Sequence, residues 1–160
     1  MKKLIIREAE DSDVESMKEI WKEFIDHHKA VNSFFSRVDD AHEKFGEFVL
    51  SNIRNKEKWI VLTALYDEKI AGYCMAFREE YPPVYENPRY GYIMDMAVSG
   101  KYRRNYIGTK LYSRVADWFK EKGLSRIELH AVAANSLGLK FWRKMGFEEF
   151  MIRMSKEIQA

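Results

Sequence analysis

The stretch MAVSGKYRRNYIGTKLY, residues 96–112, carries the chain from the end of an apolar strand into a helix that begins at Ile107. A joint of this kind points free backbone N–H groups into the loop, and the helix dipole adds roughly half a positive charge there. Arg103 and Arg104 add full charges with forked donors, and Gly108 removes a side chain where a ligand could approach. The stretch therefore suits a pyrophosphate, and a solvated basic turn is the alternative interpretation.

The pattern of apolar and turn-forming residues on either side of this joint predicts the remaining elements. The predicted strands are Leu4–Ile6, Trp59–Leu65, Ile70–Phe77, Tyr90–Val98, Arg126–Val132 and Phe147–Met154. The predicted helices run from residue 14 to about 28, from 40 to at least 53, from 107 to a C′ glycine at 123, and from 135 to a point before 146. Strands alternate with helices in the second half of the chain, so we expect an α/β sheet with at least one parallel pair.

Size, charge and cysteine content narrow the class of protein. The length of 160 residues fits one domain, and the net charge of +2 gives no support for a nucleic-acid or membrane surface. Cys74 is the only cysteine, no apolar run reaches a membrane span, and the N-terminal apolar run is too short for a signal peptide. His42 and His130 lack metal-ligand spacing. We therefore expect a single cytoplasmic domain, residues 1–160, without a metal site.

Two motifs resemble those of the GNAT superfamily of N-acetyltransferases. Arg103 and Gly108 match the first and last positions of its cofactor loop, R/Q-x-x-G-x-G/A, which follows the apolar end of the fourth strand at Met96–Val98. The stretch N-x-x-G-x-x-x-W-x-x-x-GF, residues 135–147, is similar to the family's N-x-x-A-x-x-x-Y-x-x-x-GF. Arg7-Glu8-Ala9 followed by Asp13 looks like its first strand and turn, so the resemblance covers nearly the whole chain in order.

The resemblance implies a fold and a cofactor. The fold would be a single-domain mixed sheet of about six or seven strands flanked by about four helices, with a splay between the fourth and fifth strands. Acetyl-CoA would lie in that splay, its pantetheine arm on the fourth strand and its pyrophosphate on the loop. By resemblance, the cofactor-binding residues are Met96, Ala97, Val98, Arg103, Arg104, Asn105, Tyr106, Ile107, Gly108, Thr109, Asn135 and Trp142.

The implied reaction is direct transfer of an acetyl group to a primary amine of a small molecule or a peptide, in a ternary complex. The N–H of Met96 would polarise the thioester carbonyl. The alternative is a non-catalytic acyl-CoA binding module. Two arginines are too few for the third hypothesis, a nucleic-acid binder. Family members often form dimers, so a homodimer is a further expectation.

Besides Gly138 in place of the family's alanine, four positions depart from the family pattern. Tyr106 replaces a glycine of the loop, and Trp142 replaces a tyrosine that would protonate the departing thiolate. In some members a glutamate on the fourth strand serves as the base, and the positions where it occurs hold Tyr92 and Met94 in this sequence. Strand alternation would put Tyr92, Met94 and Met96 on one face and Asp95 on the other. We therefore expect a structural role for Asp95, with Tyr92 relaying a proton through water or packing in the core.

Residues 78–89 form a loop that carries all three prolines and enters the fourth strand. Its carboxylates and aromatic rings suit a cationic amine, and a solvated loop with no partner is the alternative. The candidate acceptor-binding residues here are Glu79, Glu80, Tyr81 and Tyr85. The Trp and Phe side chains of the first two helices are expected to form core, not a ligand site.

Overall fold

The computed structural model describes residues 3–158, which divide into two compact units, one ending at His130 and the other beginning at Ala131. The strands are β1 (Leu4–Glu8), β2 (Trp59–Tyr66), β3 (Lys69–Glu80), β4 (Arg89–Val98) and β5 (Ile127–Leu129). The helices are α1 (Val14–Val31), α2 (Ala41–Arg54), α3 (Ile107–Glu121) and α4 (Ser136–Lys144). The second unit contains α4, and the first contains the other elements.

The sheet follows the order β1-β2-β3-β4-β5. The first three pairs of neighbours are antiparallel and β4–β5 is parallel, so the predicted mixed α/β sheet is confirmed. The predicted count of six or seven strands is wrong, because the described residues form five. The predicted last strand, Phe147–Met154, has the right composition but no strand partner within the described range, and its residues from 148 onward are exposed. A strand without a neighbour leaves its backbone groups to water.

A β-bulge interrupts the pairing of β3 with β4. Met75 lies opposite Asp95, whereas the next residue, Ala76, lies opposite Ile93. Met94 is therefore an extra residue on β4 with no partner in the register. Such an insertion moves every residue beyond it to the opposite face from the one that strict alternation predicts.

The bulge changes which side chains of β4 share a face. Asp95 pairs with Met75, whose side chain lies in the core that α1 and α2 cover. Met96 pairs with Cys74 and so faces the other side of the sheet. Tyr92 precedes the bulge and shares the face of Asp95. The prediction that Tyr92 and Met96 share one face, with Asp95 on the other, is therefore wrong.

The first unit has a helical layer on each face of its sheet. The core beneath α1 and α2 contains Ala9, Val14, Met17, Ile20, Phe45, Val49, Val61, Tyr73, Met75 and Ala97. On the other face α3 packs so closely that a Cβ at Gly91 would lie 2.5 Å from the ring of Phe119. No helix of the described chain is long and apolar enough to cross a bilayer.

Gly91→Ala is expected to destabilise the protein by about 1–3 kcal/mol, because the added methyl group must displace a buried ring in a packed core. Urea unfolding measures the change. Gly46→Ala is the matched control: Gly46 lies in α2, where the nearest neighbour of a Cβ is the flexible chain of Lys18 at 3.1 Å and alanine favours the helix. Equal losses at the two glycines would contradict the close packing of α3.

Two glycines end helices in the left-handed conformation. Gly123 has φ +72°, and the N–H of Leu124 donates to the Phe119 carbonyl, so the predicted C′ glycine after α3 is confirmed. In the second unit Gly146 has φ +91°, and the N–H of Phe147 donates to the Trp142 carbonyl. The end of the motif W-x-x-x-GF is therefore a helix-termination signal in its own right.

Candidate functional site

Within the described residues, one edge of β4 has no strand neighbour over its last residues. Pairing with β5 stops at Ile93, whereas β4 continues to Val98 with β3 on its other side. The N–H of Ser99 donates to the Ala71 carbonyl, so the backbone groups of Ser99 point toward β3. Backbone groups alternate in direction along a strand, so those of every second residue before Ser99 also point toward β3 and the others point away. The N–H and C=O groups of Met96 and Val98 therefore point to the open edge. This arrangement is the one expected where the fourth and fifth strands splay apart.

The loop after β4 gathers unused backbone donors. None of the backbone N–H groups from Arg103 to Thr109 donates to an acceptor in the described residues, and the next one, of Lys110, bonds to the Tyr106 carbonyl at 3.0 Å. Arg104 and Tyr106 both have left-handed conformations, with φ of 64° and 59°. Backbone of this shape at the start of a helix forms a concave anion site.

Asn105 holds this loop in shape through its side chain. Its Nδ2 donates to the carbonyls of Tyr102 at 3.0 Å and Arg103 at 3.2 Å, and its Oδ1 accepts from the Tyr66 hydroxyl at 2.9 Å. Arg103 turns back and donates from Nε to the Val98 carbonyl at 3.4 Å. The loop is therefore tied to both β2 and β4.

Tyr106 occupies the position where a glycine was expected, and it adopts the backbone conformation that glycine favours. Its side chain is 73% exposed, so the ring projects into solvent. The concave backbone therefore forms although the residue is not glycine.

Tyr106→Gly is expected to stabilise the protein by about 1 kcal/mol, since a non-glycine residue pays roughly 1–2 kcal/mol in this conformation. Acetyl-CoA affinity is expected to stay within about threefold of wild type, less than 0.7 kcal/mol, because the backbone N–H is retained. Urea unfolding and calorimetric titration measure the two effects. A tenfold gain in affinity would show that the ring obstructs the loop.

Asp95 is a half-buried residue at the bulge. Its Oδ2 accepts a hydrogen bond from the hydroxyl of the fully buried Tyr73 at 2.7 Å. Its Oδ1 is shielded from solvent and has no hydrogen-bond partner in the described part of the chain. Burial raises the pKa of Asp95 to about 6, against the opposing effects of the Tyr73 hydroxyl and the Met96 N–H.

Asp95 lines a cavity of about 560 Å³ between β4 and the helices α1 and α2. The lining residues are Trp21, Ile25, Phe35, Ser36, Arg37, Val38, Ala41, Lys44, Phe45, Phe48, Met75, Met94 and Asp95. Most of these side chains are apolar. Phe45 belongs to the core, and Trp21 and Phe24 pack against it, as expected for the aromatic residues of the first two helices. Trp21, Phe45 and Phe48 also form a wall of this cavity.

The predicted loop bounds of 78–89 are too wide, because β3 continues to Glu80 and β4 begins at Arg89. The four candidate acceptor-binding residues lie outside this cavity lining. Tyr81 donates from its hydroxyl to the buried carboxylate of Glu128 at 2.7 Å, with its ring stacked on Tyr90 at 4.5 Å. Glu79 pairs with Lys58 at 3.2 Å. Glu80 and Tyr85, the other two candidates, are exposed. Acceptor binding by these four residues stays a prediction.

Tyr92 has a partner for its hydroxyl. The hydroxyl forms a short hydrogen bond with Nδ1 of His130, and the ring lies 5.2 Å from that of Phe77. The phenol is therefore engaged at the end of β5. A proton relay through Tyr92 stays a prediction.

In the second unit, Asn135 and Trp142 both have local roles. Asn135 caps α4, since its Oδ1 accepts from the Gly138 N–H at 3.0 Å. The ring of Trp142 packs against those of Phe141 at 4.9 Å and Phe147 at 5.3 Å. The expected cofactor contacts of Asn135 and Trp142 stay predictions.

Other reactive groups do not form a site in the part of the chain that the structure describes. No cluster of three His, Cys, Asp or Glu residues there could hold a metal ion. The thiol of Cys74 is fully buried, and burial raises its pKa far above the ordinary value. Cys74 therefore serves as a packed side chain, not as a nucleophile.

Comparison with known proteins gives a family and a fold. The sequence model described as the acetyltransferase (GNAT) family matches residues 15–147. A fourfold mutant of a Bacillus halodurans protein superposes with a TM-score of 0.85 at 21% identity, covering 96% of this chain and 99% of that one. A predicted acetyltransferase from Clostridium acetobutylicum, solved with acetyl-CoA, superposes with a TM-score of 0.75 at 21% identity. The match covers 97% of this chain and 96% of that one.

An aminoglycoside acetyltransferase from an uncultured soil metagenomic sample, in complex with sisomicin, gives a TM-score of 0.69 at 23% identity, covering 98% of this chain and 97% of that one. At these identities the structural matches establish a shared fold. No curated protein sequence matches the chain.

Proposed function

Because this chain belongs to the acetyltransferase (GNAT) family, we propose that it moves an acetyl group from acetyl-CoA to a primary amine of a small molecule or peptide. The observation that carries the proposal is the run of unused N–H groups from Arg103 to Thr109, beside the open edge of β4. Asp95 lies on that same strand and faces a cavity large enough for a small acceptor.

Two parts of the chain would hold acetyl-CoA, which supplies an activated acetyl thioester. The backbone donors of residues 103–109 suit its pyrophosphate, and the guanidinium groups of Arg103 and Arg104 complement the charge. The outward N–H and C=O groups of Met96 and Val98 suit the amide groups of the pantetheine arm, as an added strand would. The Met96 N–H would then polarise the thioester carbonyl.

Asp95 is proposed as the general base, in place of the structural role expected from the sequence. With a pKa of about 6, its carboxyl is ionised at neutral pH yet basic enough to accept a proton. The hydrogen bond from Tyr73 holds Oδ2, and Oδ1 has no partner in the described residues. Because Oδ1 is shielded from solvent, the carboxyl group would have to turn toward the cavity to meet the acceptor amine. Tyr73 is therefore a positioning residue. The departing thiolate has a pKa near 8.5 and takes its proton from water, because the indole of Trp142 is no useful acid.

Two measurements test the proposal and separate it from the alternative of a non-catalytic binding module. Calorimetric titration with acetyl-CoA, with ATP as a control, is expected to give micromolar binding of the first only. A thiol assay is expected to show release of CoA that depends on an added amine. Acetyl-CoA binding without amine-dependent release would favour the binding module, and no binding would overturn both.

Residues 1–160 are proposed as one functional domain, since the family match runs across both units from residue 15 to 147. The cytoplasmic location and the homodimer stay predictions.

A further inference from the structure

We propose that the acceptor is a monoamine with an apolar or aromatic body, which fills the cavity between β4, α1 and α2 and places its amine at Asp95. This inference rests on the proposed acetyl transfer and names its substrate class. The cavity differs in character from what a sugar or a polyamine requires, because its walls offer few hydrogen-bonding groups.

The walls are built from rings and aliphatic chains. Trp21 and Phe45 stack at 4.6 Å with an interplanar angle of 10°, which joins the aromatic side chains of α1 and α2 at this wall. Phe48 is held edge-on to Trp59 at 5.8 Å, and Phe35 packs on His28. An apolar body gains roughly 25 cal/mol per Å² buried on such a surface, whereas hydroxyl groups would lose their hydration without partners.

The charges of the lining favour a single positive group. Asp95 is the one carboxylate in the lining, against two cations, Arg37 and Lys44. Those cations have their own partners, Asp26 and Asp40. Among the described residues of the lining, a second or third ammonium group on the acceptor would therefore meet no further carboxylate and would lose hydration without a partner.

The position of Asp95 connects this cavity to the chemistry. Met94 and Asp95 both line the cavity and lie immediately before Met96, whose backbone N–H and C=O groups point to the open edge of β4. The amine nitrogen would attack the acetyl carbonyl, forming the amide C–N bond as the C–S bond breaks. The proton of the amine would pass to the Asp95 carboxylate and then to water, and the sulfur would leave as the CoA thiolate.

The first test uses the full chain with a panel of amines: 2-phenylethylamine, hexylamine, spermine and sisomicin. Binding is measured by calorimetry in the presence of CoA, and turnover by CoA release from acetyl-CoA. We expect the two apolar amines to bind, and their kcat/KM to exceed those of spermine and sisomicin by at least about tenfold, a difference of 1.4 kcal/mol.

Two variants test the location of the acceptor. Ala41→Phe fills the cavity from the first turn of α2 and is expected to raise the KM for 2-phenylethylamine at least about tenfold, with acetyl-CoA affinity unchanged. Ala30→Phe, at an exposed position of α1 outside the lining, is the matched control. Val38→Asp adds a second carboxylate at a 60% exposed lining position and is expected to improve spermine relative to 2-phenylethylamine about tenfold.

The outcomes separate this inference from the proposed function. Binding of apolar amines without CoA release would overturn the acetyl transfer and leave the site standing. Faster acetylation of spermine or sisomicin would overturn the inference and leave the acetyl transfer standing. The inference also falls if no amine binds, or if Ala41→Phe and Val38→Asp both behave as wild type.

Discussion

Asp95→Asn is expected to lower kcat for acetyl transfer by about 10²–10⁴-fold, the usual contribution of a positioned general base. The asparagine amide has nearly the same shape as the carboxylate but cannot take the proton of the amine. Acetyl-CoA binding, measured by calorimetry, is expected to be unchanged, because the residues proposed to bind acetyl-CoA on the loop and the edge of β4 are untouched. The effect should therefore fall on turnover and not on the affinity for acetyl-CoA.

The pH dependence of kcat/KM in the wild-type protein is a second test of Asp95 as the general base. Burial raises the pKa of Asp95 to about 6, so kcat/KM is expected to rise with pH through that value and then to level off with respect to this group. Asp95→Asn is expected to lose this limb. The raised pKa also favours the protonated folded state, so wild type loses stability as pH rises from about 4 to 6. The variant should be at least as stable as wild type at pH 7.

Two further variants separate catalysis from structure. Asp117→Asn changes an exposed carboxylate on α3 in the same way and is expected to leave kcat unchanged. Tyr73→Phe removes the hydrogen bond to Oδ2 and is expected to shift the pH limb upward, since that bond lowers the pKa of Asp95. Wild-type kcat in Asp95→Asn, or a pH limb that survives in it, would rule out Asp95 as the base.

Gly108→Asp is expected to weaken acetyl-CoA binding by about 100-fold or more. A carboxylate in the first turn of α3 would lie near the proposed pyrophosphate site, and two charges about 5 Å apart repel by roughly 3 kcal/mol at an effective dielectric constant of 20. The fold should tolerate the change, because an acidic residue near a helix N-terminus and the loss of a helical glycine both favour α3. Calorimetry measures the affinity, and thermal unfolding reports the fold.

Ser113→Asp provides the matched control on the same helix. Ser113 is exposed and lies beyond the first turn, so the same added charge is expected to alter acetyl-CoA affinity by less than about threefold, or 0.7 kcal/mol. Rising salt should also restore part of the affinity of Gly108→Asp. If the two variants lost affinity equally, the phosphate groups would not lie at the start of α3.

Much of the architecture could be predicted from local sequence. Apolar periodicity located all four helices and the five strands of the sheet, with most ends within a few residues of the observed ones. Gly123 marked the end of α3, and the basic loop marked the concave backbone before it. These features depend on neighbours within a few residues of each other, so the residue types themselves carry the information.

Two features depended on contacts between distant segments. Phe147–Met154 has strand composition, but a strand forms only where another segment satisfies its backbone groups, and the described residues provide none. The cavity exists because α1 and α2 leave a gap over β4, which no single segment encodes. The one available hint of the proposed base was a charged residue, Asp95, inside the otherwise apolar run MDMAV.

By itself the sequence determined the α/β class, the order of the elements, the joint at 96–112 and its suitability for a phosphate group. Only the tertiary structure decided the side of the sheet on which Asp95 lies. The pairing of β3 with β4 leaves Met94 as an extra residue, and that bulge reverses the faces of the residues that follow. Alternation along one strand is a local property, whereas a bulge is a property of two strands in register.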